Sequence, residues 1–184
     1  MRNKRQVFLS LHHRNSLSLG GNRQRFGYAA YHWGILISSK GPSRPDCYAF
    51  DVSNGVVLDP VHRVNLNEEG NWHFREKVND PDQDSLLGRV MIGKVPHEVT
   101  YAQIRDLLES IPLPQRDALL LQKSAFPERN CVTWTRAAIR KLQENGLAEQ
   151  FDLNRFMDES LAFADQRLHT RSTPTSINYT TRPM

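Results

Sequence analysis

The run Asn130-Cys131-Val132-Thr133-Trp134-Thr135-Arg136, continued by Ala137-Ala138-Ile139-Arg140-Lys141-Leu142 and closed by Asn145-Gly146, constrains this chain more than any other stretch. Asn130 is an N-cap residue type whose side-chain oxygen can accept a first-turn N–H. Gly146 tolerates the left-handed conformation that ends helices, so the pattern predicts a helix between the two. Trp134, Ala138 and Leu142 follow Cys131 at steps of three, four and four, which sets one apolar face against a core. Cys131 then falls in the first turn, where unpaired N–H groups and the positive end of the helix dipole favour thiolate. A thiol so placed is either a nucleophile or a small buried hydrophobe, and a base within reach decides between them.

The base comes from a hairpin. Tyr31-His32-Trp33-Gly34-Ile35-Leu36-Ile37-Ser38 and Cys47-Tyr48-Ala49-Phe50-Asp51-Val52-Ser53 are β-type runs on either side of a Gly/Pro-rich turn through Lys40 to Pro45. Trp33, Ile35 and Ile37 make one apolar face, and Tyr48, Phe50 and Val52 make another. Matching the two faces by pairing 33 with 50 and 35 with 48 sets His32 opposite Asp51. A carboxylate beside an imidazole fixes its tautomer and stabilises its protonated form, which a thiol nucleophile requires. The same pair can also serve structure alone.

Around this pair the chain reads as alternating strands and helices. Residues 6–11 predict a central strand, followed by a polar loop hinged at Gly20-Gly21. Val56–Leu58 predicts a short strand, 72–78 an alternating one, and 86–95 a further central one. Thr100 with Gln103 predicts a capping box opening a helix with Ile104, Leu107, Leu108 and Ile111 on one face, ended by Pro112 and Pro114. Leu119–Leu121 fits a strand or a helical turn, and 151–168 a last helix. The reading is a single catalytic domain over 1–170 and a Ser/Thr/Pro-rich mobile tail over 171–184.

With 184 residues and 39% hydrophobic content, the chain is sized for one domain, and no apolar run approaches the roughly 20 residues of a membrane span. No signal-type leader is visible, and two cysteines without a disulfide framework fit a reducing compartment, so the expected location is cytoplasmic. Charge is unevenly spread. Arg2, Lys4, Arg5, Arg14, Arg23, Arg25, Lys40 and Arg44 precede the first carboxylate, Asp46, and from Asp46 onward there are 16 basic and 20 acidic residues. Such a cluster can meet a polyanion such as RNA, or be solvated surface. No phosphate loop, dinucleotide fingerprint or metal-type Cys/His spacing is present, so no cofactor or metal is expected, and the remaining histidines receive no ligand role. The acidic run 79–84 lacks the glycine and distal glutamate of a calcium loop.

The order His32, Asp51, Cys131 is the reverse of papain's. It resembles the circularly permuted papain-like thiol enzymes, including the lecithin retinol acyltransferase type, in which a His-Trp strand and an Asn-Cys helix start also occur. Here these are His32-Trp33-Gly34-Ile35 and Asn130-Cys131. That family commonly has histidine where this chain has Asp51. Most of the chain also resembles a group of fungal proteins that includes the arginine-containing cyclodipeptide synthases. The likeness is carried by the His-Trp strand, the strand ending near Val95, the helix running into Ile111-Pro112-Leu113-Pro114, and Asn130-Cys131-x-x-Trp134 followed by Gly146 and a further helix.

These resemblances imply an α+β fold, an antiparallel sheet packed against helices in permuted papain-like order. They also imply a cysteine-dependent acyltransferase that forms an arginine-containing diketopiperazine from arginyl-tRNA and a second amino acid. Cys131, His32 and Asp51 would be catalytic, and the helix start at Asn130 and Val132 would hold the oxyanion. The eight early basic residues would bind tRNA, and Tyr31, Trp33 and Trp134 would contact substrate. Glu76, Asp80, Asp82 or Asp84 would receive guanidinium. The alternatives are a cysteine hydrolase with the same triad and a non-enzymatic binding domain.

Overall fold

The computed structural model describes residues 5–39, 47–78, 84–115, 130–170 and 175–184. Its strands are β1 (Arg5–His13), β2 (Tyr31–Ser39), β3 (Cys47–Ser53), β4 (His73–Val78), β5 (Leu86–Lys94) and β6 (Thr175–Asn178). Its helices are α1 (Gly20–Phe26), α2 (Tyr101–Glu109), α3 (Cys131–Glu144) and α4 (Leu153–Thr170). The strands form one open sheet in the order β4-β3-β2-β1-β5-β6, antiparallel except where β6 runs parallel to β5. The fold is α+β, as the sequence implies. No helix among the described residues is long and apolar enough to cross a membrane.

Alternation along the strands builds two unequal cores. Val7, Leu9 and Leu11 of β1, Trp33, Ile35 and Ile37 of β2, and Phe50 and Val52 of β3 turn to the helices, where α3 lies over β2 and β3 and α4 over β5 and β1. Trp134, Ala138 and Leu142 are buried there, on the face their spacing predicts. On the opposite face only Phe8, Leu36 and Met91 form a small apolar cluster, and the rest of that face is polar around β2 and β3.

The predicted central strands, the capping box at Thr100 and Gln103, and the last helix are all present. Three expectations are corrected. The polar loop after β1 contains α1, a seven-residue helix with no buried residue, so no apolar stripe announces it. Val56–Leu58 is not a strand: Leu58 makes one isolated bridge to Asn65. Residues 175–184 belong to the fold. β6 pairs with β5, Tyr179 N–H donates to the Met91 carbonyl, and the Tyr179 ring packs edge-on against Phe151 and Phe156. One aromatic anchor and a row of main-chain bonds hold what composition marks as a tail. The turn at 40–45 and Leu119–Leu121 lie outside the described residues.

Candidate active site

β2 and β3 are zipped for only part of their length. Ile35↔Phe50, Leu36↔Ala49, Ile37↔Tyr48 and Ser38↔Cys47 pair, and there the ladder stops, while β1–β2 pairing runs on to Tyr31 and β3–β4 pairing to Ser53. The sheet therefore forks at Gly34. The start of α3 fills the fork: Thr135 Oγ1 donates to the Trp33 carbonyl at 3.3 Å, and the Trp33 main chain lowers the pKa of the Cys131 thiol beside it. Main-chain groups that β3 leaves unpaired are thus taken by α3.

The observed register differs by two residues from the expected one. A two-residue shift keeps every side chain on its face, so His32 and Asp51 become diagonal rather than direct neighbours and still meet. His32 Nε2 lies 3.0 Å from Asp51 Oδ2. Gly34 makes this possible, because a Cβ there would stand 3.1 Å from the Phe50 carbonyl and from Ser10 Oγ, and 3.4 Å from the Asp51 Cβ. Nε2 is committed to Asp51, and the same imidazole acts on the buried Cys131 thiol, with which it shares the cleft. The three groups expected to converge do converge.

Arg75 completes the set. It sits directly across from Asp51 in the β3–β4 ladder and grips the carboxylate with both arms, Nε to Oδ1 at 2.6 Å and Nη2 to Oδ2 at 3.0 Å. Sequence reasoning passed over Arg75; its signal is an opposite-charge pair at facing positions, visible only once the strands are aligned.

The electrostatics follow from these contacts. Burial pushes the His32 imidazolium down, but hydrogen bonds to Asp51 and Cys131 outweigh it and raise its pKa to about 9. Burial likewise pushes Asp51 up, and is overcome by His32 and Arg75, which hold the carboxyl well below its usual range. The Cys131 thiol is raised by burial and lowered more by His32, the Trp33 main chain and the Arg14 charge, so it ends below an ordinary thiol. A thiolate–imidazolium pair is the state these shifts favour. Because the His32 value lies above its ordinary 6.5, the stabilisation it lends is complete below about pH 6.5 and is lost as pH rises through about 9. Asp51 acts in the opposite sense, contributing above its ordinary 3.8 and losing that contribution as pH falls.

Cys131 is only 3% exposed, yet it borders a cleft of about 720 Å³ together with His32, Asp51, Arg75 and Asn130. Asn130 caps α3 through Oδ1, which accepts the Val132 N–H at 2.8 Å. That N–H, expected to serve an oxyanion, is therefore already used. Tyr31, Trp33 and Trp134, expected to touch substrate, are buried in the helix-side core at 0%, 0% and 2% exposure. Their size and apolarity are used for packing.

Of the basic residues expected to meet RNA, Arg14 lines the cleft and donates to the Ala29 carbonyl, and Arg25 lies exposed over Phe26. Arg23 is held by Asp165 through two bonds of 2.6 and 2.7 Å, and Arg5 by the Val99 carbonyl. Arg2, Lys4, Lys40 and Arg44 lie outside the described residues, as do Asp80 and Asp82. Glu76 faces away from the cleft and binds Tyr101 and Arg105. Among the described lining residues Asp51 is the only carboxylate, and Arg75 and His32 occupy it.

A cysteine at a helix start, beside an imidazole that a carboxylate orients, is an arrangement that can activate a thiol. The chain belongs to a family of unknown function, DUF6914, whose model matches residues 4–176. No curated protein and no solved structure matches it.

Proposed function

We propose that the protein is a cysteine-dependent acyltransferase. The observation that carries this reading is the His32 imidazole, held by Asp51 at 3.0 Å and sharing one cleft with Cys131. The Cys131 thiolate attacks an activated ester, forming a C–S bond, and His32 gives its proton to the departing alcohol oxygen. Asn130 lines the cleft, and its Nδ2 amide can donate to the oxyanion while its Oδ1 serves the cap. An amine then takes the acyl group from sulfur.

The fold order is that of a permuted papain-like enzyme, and the donor is an aminoacyl-tRNA, arginyl-tRNA in the resemblance stated above, with an arginine-containing cyclic dipeptide as product. Arg14 at the cleft and the exposed Arg25 are suited to phosphodiester contacts. The test incubates the protein with arginyl-tRNA and mixed amino acids and looks by mass spectrometry for cyclic dipeptides and for an acyl group on Cys131. Wild type should yield both and Cys131→Ala neither. Deacylated tRNA and free arginine without cyclic product would make water the acceptor, and a folded Cys131→Ala protein with full biological output would mark a binding domain.

A further inference from the structure

The fork carries a row of polar side chains across the sheet, and its last two members, His12 and Ser85, have no part in the mechanism above. From β4 to the turn before β5 the row is Arg75, Asp51, His32, His12 and Ser85. Arg75 and Asp51 are joined at 2.6 Å, Asp51 and His32 at 3.0 Å, and His12 Nδ1 and Ser85 Oγ at 3.1 Å. His12 and His32 are direct cross-strand partners on one face, their ring centroids 6.1 Å apart at 58°. His32 is committed to Asp51 and Cys131, while His12 is oriented by Ser85 on the opposite side of His32 and lines the same cleft.

We infer that His12 is the base for the acceptor: it binds the amine that takes the acyl group and removes its proton. The inference rests on the acyl-enzyme reading and extends it to the acceptor class, a primary alkyl amine such as an α-amino group. Such amines titrate near roughly 8, so at neutral pH much of the acceptor arrives as ammonium and must shed a proton to attack. His12 lines the cleft, and an imidazole there can accept a proton from an amine.

In the step itself, the amine nitrogen forms the C–N bond to the thioester carbonyl carbon. The C–S bond breaks with its electron pair returning to Cys131. Before attack the ammonium gives one proton to His12, which passes it to solvent; after the C–N bond forms, the second proton leaves nitrogen for neutral His32 and replaces the one His32 gave to the departing alcohol.

The test uses the full chain with p-nitrophenyl acetate as donor. The nitrophenolate burst reports acylation of Cys131, and the steady rate with added glycinamide reports aminolysis. His12→Asn keeps an amide near Ser85 and removes the imidazole, and Ser85→Ala checks the orienting contact. We expect an unchanged burst in His12→Asn and aminolysis by glycinamide slower by about 10²-fold. Hydroxylamine, which is largely unprotonated at neutral pH, should restore transfer. Ser85→Ala should show the same pattern more weakly. Wild-type aminolysis in His12→Asn, or loss of burst and aminolysis together, would overturn the role of His12. Absence of any burst in the wild-type protein would overturn the acyl-enzyme reading beneath it.

Discussion

One hairpin holds two regions of opposite character. From Ile35 to Ser38, β2 is zipped to β3, and Ile37 and its partner Tyr48 pack toward the helices. From Tyr31 to Gly34 the same strands part, and the gap holds an imidazole, a carboxylate and a thiol. The zipped half spends its hydrogen bonds on the sheet. The forked half leaves main-chain groups over, and those position α3, so that reactive groups from three elements share one place. Pairing makes the first half stable; the end of pairing makes the second half chemical.

Four substitutions separate the halves, in decreasing order of effect. Ile37→Ala, at a fully buried zipped position, should cost about 3 kcal/mol in denaturant unfolding and leave the alkylation rate of Cys131 in the folded protein unchanged. Asp51→Asn removes the group that orients His32, so acyl transfer should fall by about 10²-fold and the alkaline limb of its pH profile should move down from about 9. Gly34→Ala forces a Cβ against the Phe50 carbonyl and Asp51, and should cost about 2 kcal/mol while loosening the His32–Asp51 contact, seen as a changed His32 titration by NMR. Arg75→Met removes a guanidinium whose Nη2 stands 3.4 Å from His32 Nε2, so the alkaline limb should move up slightly, by less than about one unit. An unmoved limb in both Asp51→Asn and Arg75→Met would break the link between the fork and the chemistry.

Much of this was legible in the chain, for reasons that differ by residue. Asn130 and Gly146 bound α3 because capping is local chemistry, readable without tertiary context: Asn130 accepts from Val132, and Gly146 takes φ 69°. The meeting of His32 and Asp51 was reached through a register wrong by two, because alternation fixes which face a residue takes and is blind to even slips. Gly34, in the middle of an apolar strand, carried a signal for close approach that its neighbours obscured.

Arg75 and His12 were missed because their meaning lies in which strand stands beside which, a long-range fact no local pattern contains. Tyr31, Trp33 and Trp134 were misread because large aromatic residues near a reactive group serve packing as readily as binding. β6 escaped because Thr-Ser-Ile-Asn is short, polar and on an edge.

The most direct test of the account is the pH dependence of iodoacetamide alkylation at Cys131, read by peptide mass spectrometry in the wild-type protein and in His32→Gln. A thiolate held by imidazolium should react well below the pH at which an ordinary thiol ionises, and His32→Gln should move that reactivity up toward the ordinary value of 9.0. Identical profiles in the two proteins, both rising only near 9.0, would contradict the pairing on which the site depends.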